Sequence, residues 1–249
     1  MFLEYLNIYL YNMVRCFPKY LIERYFSMRR KFKLYSAIFM IVSFVLWTII
    51  AKFVDVKQIG PNNSYVGLST MNSFVHNLTG CNMLLYTITD WLGIVPIILV
   101  LVFGIIGLIQ WIKRRNFLKV DYDILILGLY YIVVFIFYIL FENVVVNYRP
   151  VLIDGYLEVS YPSSTTLIVL SVMPTIIIQV NIRINNIILK KVLIYCIIVF
   201  SCFMVVGRIL SGVHWISDII GGLLLSSGLV IMYDYLIKIK YYIGLCFVL

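Results

Sequence analysis

Charged residues are scarce in this sequence. Only 12% of the 249 residues are Asp, Glu, Lys or Arg, whereas about a quarter are charged in a soluble globular chain. Hydrophobic residues make up 63%, and the mean hydropathy is +1.02. This composition excludes an ordinary soluble enzyme, and it excludes intrinsic disorder, which requires low hydrophobicity. It also excludes a densely basic surface for nucleic acid, so no nucleic-acid partner is expected.

Cysteine and histidine are also sparse. The five cysteines are scattered and form no C-x-x-C pair. Because no metal-ligand spacing is present, neither a metal nor another cofactor is expected. The two histidines are His76 and His214, so chemistry that needs an imidazole has only two positions to use.

Long apolar runs are abundant. Six of them are long enough to cross about 30 Å of hydrocarbon as helices. They cover residues 34–51, 91–112, 124–141, the apolar part of 159–182, 192–207 and 213–233. The sequence therefore predicts an all-α, polytopic membrane protein with six transmembrane helices. We expect a basic, aromatic cytoplasmic segment at 1–33, the membrane domain at 34–235 and a short cytoplasmic tail at 236–249.

The basic residues are distributed unevenly between the two sides of these spans. Sixteen of the 20 Lys and Arg residues fall on the side that holds both termini, and four fall on the other side. Because cytoplasmic loops carry the excess of Lys and Arg, both termini are predicted to be cytoplasmic. The predicted location is the plasma membrane. The segment 55–90, rich in Asn, Ser and Thr, is expected to be the longest external loop.

Ionisable residues on the outer side cluster in the segment GRILSGVHWISD. His214 and Asp218 are four residues apart, so they share one face of a helix. A carboxylate there can accept a proton from one imidazole nitrogen and leave the other nucleophilic. The guanidinium groups of Arg208 and Arg149 suit a phosphate. This set predicts phosphoryl transfer to a histidine; the alternative is that these residues only anchor helix ends at the membrane interface.

These residues resemble the three motifs of the type 2 phosphatidic acid phosphatase superfamily, the integral-membrane lipid phosphate phosphatases. The third motif, SR-x5-H-x3-D, corresponds to GRILSGVHWISD with its full spacing. The first motif, K-x6-RP, corresponds to Arg149 and Pro150, and the second, PSGH, to YPSSTT at residues 161–166. Motif order, loop placement and the six spans match over about residues 34–235.

The resemblance implies a role for each matching residue. His214 would be the nucleophile that becomes phosphohistidine, and Asp218 would orient it. The phosphate oxygens would be held by Arg149, Arg208, Ser163 and Ser164. The implied substrate is a membrane lipid phosphate, hydrolysed at the outer face of the bilayer.

Motif positions 142, 164 and 165 depart from the family pattern. Glu142 replaces the lysine of the first motif, and Ser164 and Thr165 replace the glycine and histidine of the second. A carboxylate repels phosphate, so Glu142 is expected to turn away or to pair with an arginine. A threonine hydroxyl does not titrate near neutral pH, so Thr165 cannot replace a general acid, a role worth roughly 10²- to 10⁴-fold.

Three interpretations of the missing acid remain open. The substrate can be a lipid diphosphate, such as undecaprenyl diphosphate in a bacterium, whose phosphate leaving group needs little protonation. His76 in the segment FVHNLTG can supply the proton instead. Alternatively, the protein is a catalytically impaired family member that binds lipid phosphate. A small transporter is less favoured, because the charged residues lie at span ends and not at mid-membrane.

Overall fold

The computed structural model of the chain describes residues 19–248, with side chains at residue 24 and from 27 to 239. Residues 1–18 of the predicted N-terminal segment lie outside the described residues. The expected boundaries after residues 33 and 235 both fall within continuous helices, so neither one coincides with the end of a structural element.

Helices dominate the described chain. They are α1 (Lys19–Phe53), α2 (Ser69–Thr79), α3 (Met83–Leu92), α4 (Ile94–Arg114), α5 (Tyr122–Asn143), α6 (Ser164–Arg183), α7 (Ile187–Ser211) and α8 (Ile216–Val248). Short 3-10 turns cover Pro61–Asn63 and Phe117–Lys119, and strands β1 (Lys57–Gln58) and β2 (Tyr65–Val66) form an antiparallel hairpin.

Six helical stretches within the described range are long and apolar enough to cross a bilayer. They are Ser27–Phe53, Met83–Arg114, Tyr122–Asn143, Ser164–Arg183, Ile187–Ser211 and Ile216–Ile239. The prediction of an all-α membrane protein with six spans is therefore confirmed. The fourth and sixth spans begin later than predicted, because the chain is not helical before Ser164 or Ile216.

The segment 55–90 is not the loop that its polar composition suggested. It contains the β1–β2 hairpin, α2 and α3, and α3 continues through Gly93 into α4. Polar side chains support this helix from within: Asn82 accepts a hydrogen bond from the N–H of Leu85, and Thr89 donates to the carbonyl of Leu85 at 2.9 Å. The polar residues that suggested a loop are thus used as caps and as intrahelical donors.

Helix α8 lies at the centre of the bundle, in contact with α1, α2, α5, α6 and α7. Glycines allow close approach on two sides. A Cβ at Gly228 would lie 2.8 Å from Ile41 of α1, and one at Gly221 would lie 2.7 Å from the ring of Tyr161. Small residues at such contacts are what helix packing in membranes requires. The glycines of α8 therefore position α1 and the connection that precedes α6.

Charged residues tie the helices together at one end of the bundle. Arg183 pairs with Asp123 at 2.5 Å, Arg114 pairs with Asp121 at 2.7 Å, and Lys33 pairs with Asp234. The other end carries the segments 54–93, 144–163 and 212–215, and we call it the site end. The motif residues of the site all lie at or next to these segments.

Candidate active site

A tight turn between α7 and α8 positions His214. Gly212 ends α7 with φ +61°, and a Cβ there would lie 1.7 Å from the carbonyl oxygen of Gly80. The N–H of Asn82 donates to the carbonyl of Ser211 at 2.9 Å. Glycine is therefore required at position 212, and this contact holds the start of α3 against the turn that carries His214.

Ser160 connects His214 to Asp218. The Nδ1 atom of His214 lies 3.1 Å from both the carbonyl oxygen and the hydroxyl of Ser160, and that hydroxyl donates to Asp218 at 2.5 Å. The direct Nδ1–Oδ2 distance from His214 to Asp218 is 4.0 Å, which is too long for a hydrogen bond. The predicted His–Asp pair is thus close in space, but the hydrogen-bonded connection between them runs through Ser160, which sequence reasoning missed.

Asp218 also fixes the turn itself. Its carboxylate accepts hydrogen bonds from the N–H of Trp215 at 3.0 Å and from the hydroxyl of Ser217 at 3.2 Å. The residue is fully buried. The carboxylate therefore orders the backbone that carries His214 as well as orienting Ser160.

The surroundings of His214 favour the neutral imidazole. Burial lowers the pKa of His214 well below its usual value, and the charges of Arg149 and Arg208 lower it further. In the neutral tautomer that donates from Nδ1 to Ser160, the lone pair lies on Nε2. Nε2 is buried and forms no hydrogen bond with the described residues. Such a nitrogen is suited to nucleophilic attack.

Two arginines lie beside this histidine. Arg208, only 1% exposed, donates from Nη2 to Asp90 at 2.8 Å and to Thr165 at 2.5 Å. Arg149, 12% exposed, forms an ion pair with Glu158 at 3.1 Å. The Nε and Nη1 atoms of Arg208 and the Nη1 atom of Arg149 are buried and form no hydrogen bond with the described part of the chain. Because buried polar groups are almost always hydrogen-bonded, three such nitrogens indicate a site for an anion.

The second motif joins this cluster at the start of α6. The N–H of Ser163 donates to the carbonyl of Asp218 at 3.1 Å, and Ser164 is the first residue of the helix. Helix N-termini favour anions because their first N–H groups have no partner within the helix. The hydroxyl of Thr165 accepts a hydrogen bond from Arg208. It therefore contacts the guanidinium that would bind the phosphate.

Glu142 does not pair with any described arginine, although such a pair was one of the two expectations for it. It forms no ion pair with any side chain that the structure describes; Arg149 pairs with Glu158 instead. Glu142 lines a cavity of about 10 Å³ together with Ser160, Ser164 and His214. The carboxylate is exposed and lies beside the site.

His76 lies on α2, behind the turn that carries His214. Its ring centroid is 5.4 Å from that of Trp215, and the space lined by both histidines is too small for a water molecule. Burial lowers the pKa of His76, and its Nδ1 is buried without a hydrogen bond among the described residues. The structure thus brings all three motifs together and places the second histidine against the back of the turn.

Three residues of the site were missed by sequence reasoning: Ser160, Asp90 and Tyr86. Ser160 directly precedes the second motif, and no spacing rule pointed to it. Asp90 and Tyr86 lie on α3, where the polar composition suggested a loop. The guanidinium carbons of Arg208 and Arg149 lie 4.9 and 5.7 Å from the centre of the Tyr86 ring.

Comparison with known proteins agrees with the motifs and the fold. The PAP2 superfamily model matches residues 123–240, which include every motif position. The fold is similar to the crystal structure of a transmembrane PAP2-type phosphatidylglycerolphosphate phosphatase from Bacillus subtilis. That match has a TM-score of 0.52 and 17% identity, and it covers 83% of this chain and 97% of the other. No curated protein sequence matches the chain.

The resemblance predicted from the motifs is confirmed by these matches. The chain has the membrane fold of the PAP2 superfamily, and this fold supports a lipid phosphatase in general. At 17% identity, the likeness to the structural neighbour shows the fold alone.

Proposed function

We propose that this protein is a lipid phosphate or diphosphate phosphatase that uses His214 as its nucleophile. One observation carries the proposal: Nη1 of Arg149, Nε and Nη1 of Arg208, and Nε2 of His214 are buried without hydrogen bonds to the described residues. A phosphoryl group satisfies all of them, because its oxygens accept hydrogen bonds and its phosphorus accepts the imidazole lone pair.

The reaction follows from this arrangement in two steps. In the first, Nε2 of His214 attacks phosphorus, the bond to the leaving oxygen breaks, and phosphohistidine forms while Arg149 and Arg208 stabilise the negative charge. In the second, water attacks phosphorus, the P–N bond breaks, and inorganic phosphate and neutral imidazole are released. Ser160 and Asp218 stabilise the positive charge on the ring, since the Nδ1 proton is held at the Ser160 carbonyl.

A lipid diphosphate is the preferred substrate in this proposal. Thr165 replaces the family's acid and instead accepts a hydrogen bond from Arg208. A diphosphate expels a phosphate monoester, a better leaving group than the alkoxide expelled from phosphatidate. The missing acid therefore costs little for a diphosphate and much for a monoester. In a bacterial host, undecaprenyl diphosphate is a substrate of this class.

The proposed orientation places the site at the outer face of the plasma membrane. Sixteen of the 20 basic residues are assigned to the opposite side by the order of the spans, and the ion pairs of Arg114, Arg183 and Lys33 lie at that end of the bundle. The positive-inside rule then makes that end cytoplasmic. A cysteine introduced at Asn63, on the site end, in a variant whose five native cysteines are replaced by serine should react with a membrane-impermeant maleimide in intact cells if the orientation is right.

The alternative is an impaired family member that binds lipid phosphate without turnover. It is favoured by one observation, the replacement of the second-motif histidine by Thr165, whose hydroxyl bonds to Arg208. In this case phosphate would bind to the arginines, and no phosphohistidine would form.

Phosphate release from the purified chain in detergent tests the proposal. The panel contains a polyprenyl diphosphate, a polyprenyl monophosphate and phosphatidate, and the variants are His214→Ala and Arg208→Lys. Arg183→Lys is the matched control, because Arg183 is also ion-paired but lies at the opposite end. We expect rapid release from the diphosphate, slower release from phosphatidate, and loss of both activity and acid-labile label in His214→Ala. Equal rates on all three lipids would reject the diphosphate preference; binding without release would support the impaired alternative.

A further inference from the structure

The two arginines of the site, Arg149 and Arg208, come from separate parts of the chain. Arg149 lies in the connection between α5 and α6, and Arg208 lies in the last turn of α7. Each guanidinium is paired with its own carboxylate, Arg149 with Glu158 and Arg208 with Asp90. Neither carboxylate pairs with both cations, which repel each other at short distance. A feature that contacts both would hold them side by side before substrate arrives.

Tyr86 of α3 contacts both of them. Its ring centre lies 4.9 Å from the guanidinium carbon of Arg208 and 5.7 Å from that of Arg149. A guanidinium within about 6 Å of an aromatic centre is attracted by the negative face of the ring. One ring therefore attracts both cations and partly offsets their mutual repulsion.

Close helix packing fixes the position of this ring. A Cβ at Gly207 would lie 2.7 Å from Thr89, so α3 and α7 are in direct contact one residue before Arg208. The hydrogen bond from Asn82 to Ser211 holds the start of α3 to the end of α7. Tyr86 lies between these two contacts in sequence, so its backbone stays next to α7 as long as the two helices are in contact.

Tyr86 also lies outside the residues that the PAP2 superfamily model matches, which begin at residue 123. The arginines come from the family motifs, but the ring beneath them comes from a helix that the motifs do not include. The residue that contacts both arginines thus comes from a part of the chain that the family model does not match.

We propose that Tyr86 is a positioning residue whose aromatic face holds Arg149 and Arg208 together as a phosphate clamp. This inference rests on the proposed function. Its effect comes from the ring and not from the hydroxyl, so Tyr86→Phe should keep the clamp and Tyr86→Leu should lose it. In Tyr86→Leu the affinity for phosphate should change more than the stability of the folded protein.

Kinetics and inhibition by inorganic phosphate test this role. Purified full-length Tyr86→Phe should keep KM for the lipid diphosphate and Ki for phosphate within about twofold, since the ring face is retained. Tyr86→Leu should raise both about tenfold, because the attraction to two cations is lost. Tyr195→Leu is the matched control, as Tyr195 is an exposed tyrosine on α7. Equal impairment of Phe and Leu variants, or an unaffected Leu variant, would overturn the inference.

Fluorinated phenylalanines at position 86 keep the test valid if Tyr86→Leu fails to fold. Fluorine weakens the negative face of the ring while the shape is almost unchanged, so Ki should rise steadily from phenylalanine to the mono- and trifluoro forms. If Ki does not change across the series, the cation–π role is rejected.

If the unmodified protein releases no phosphate from any lipid, the proposed reaction fails, but the role of Tyr86 can still be tested. Phosphate binding is then measured as the rise in melting temperature that phosphate causes in each variant of the same series. If this rise does not depend on fluorination, the role of Tyr86 is rejected.

Discussion

Asp90 and Arg208 form an ion pair in which one partner is 59% exposed and the other 1% exposed, with 2.8 Å between Oδ1 and Nη2. The carboxylate is exposed, whereas the guanidinium is buried. A phosphate bound to Arg208 would share this cation with Asp90. Asp90 is therefore a competitor of the substrate phosphate for the same cation.

Replacing Asp90 by asparagine should strengthen phosphate binding. The amide is nearly the same size but carries no charge, so repulsion of the incoming phosphate is removed. Because exposed ion pairs contribute at most about 1 kcal/mol, KM and the Ki for phosphate should fall about two- to fivefold. The matched control is Asp55→Asn, a partly buried carboxylate that pairs with Lys57 and accepts a hydrogen bond from the N–H of Thr70. An increase in KM would show that Asp90 assists binding and does not compete.

Ser160→Ala should slow the reaction without abolishing it. The backbone carbonyl of Ser160 still accepts from Nδ1 of His214, but the 2.5 Å hydrogen bond to Asp218 is lost. A hydrogen bond to a charged group contributes about 1.5–3 kcal/mol, so kcat should fall at least about tenfold. Single-turnover measurements should place the loss in the formation of phosphohistidine. A variant with unchanged kcat would show that Asp218 acts on His214 without Ser160.

The activity should extend to acidic pH. The neutral imidazole is the nucleophile, and burial together with Arg149 and Arg208 lowers the pKa of His214 well below 6.5. Protonation inactivates the ring only when the pH falls through this lowered pKa, so the acid limb of kcat/KM should have its midpoint below pH 6.5. A profile of kcat/KM between pH 4 and 8 measures the midpoint. A midpoint at or above 6.5 would contradict the buried, neutral imidazole.

His76→Gln should keep both the rate and the pH profile. The His76 ring packs on Trp215, and the space it shares with His214 has no room for a bridging water. A proton from His76 therefore has no path through that space. The measurement is kcat/KM on a lipid diphosphate and on phosphatidate, with rates within about twofold of the unchanged protein. A selective loss on phosphatidate would instead identify His76 as the replacement acid.

The sequence predicted the spans and the third motif because both are local patterns. A helix that crosses lipid needs an uninterrupted apolar run, and Arg208, His214 and Asp218 lie close together in the chain. The contributions of Tyr86 and Asp90 could not be predicted in this way. They depend on the contact between α3 and α7 at Gly207 and Thr89, and such a contact between distant parts of the chain leaves no local spacing pattern.

The central position of α8 has a consequence for biosynthesis. Among the described spans α8 is the last to leave the ribosome, although α1, the first, packs along it and donates from Trp47 Nε1 to the carbonyl of Ser217. During synthesis the face of α1 that packs on α8 therefore has no partner until α8 has been made. Asp218 arrives on α8 itself and His214 directly before it. Insertion of one helix thus closes the bundle and completes the site in the same event, so a nascent chain that stops before α8 lacks both Asp218 and the contacts that α8 makes with five other helices.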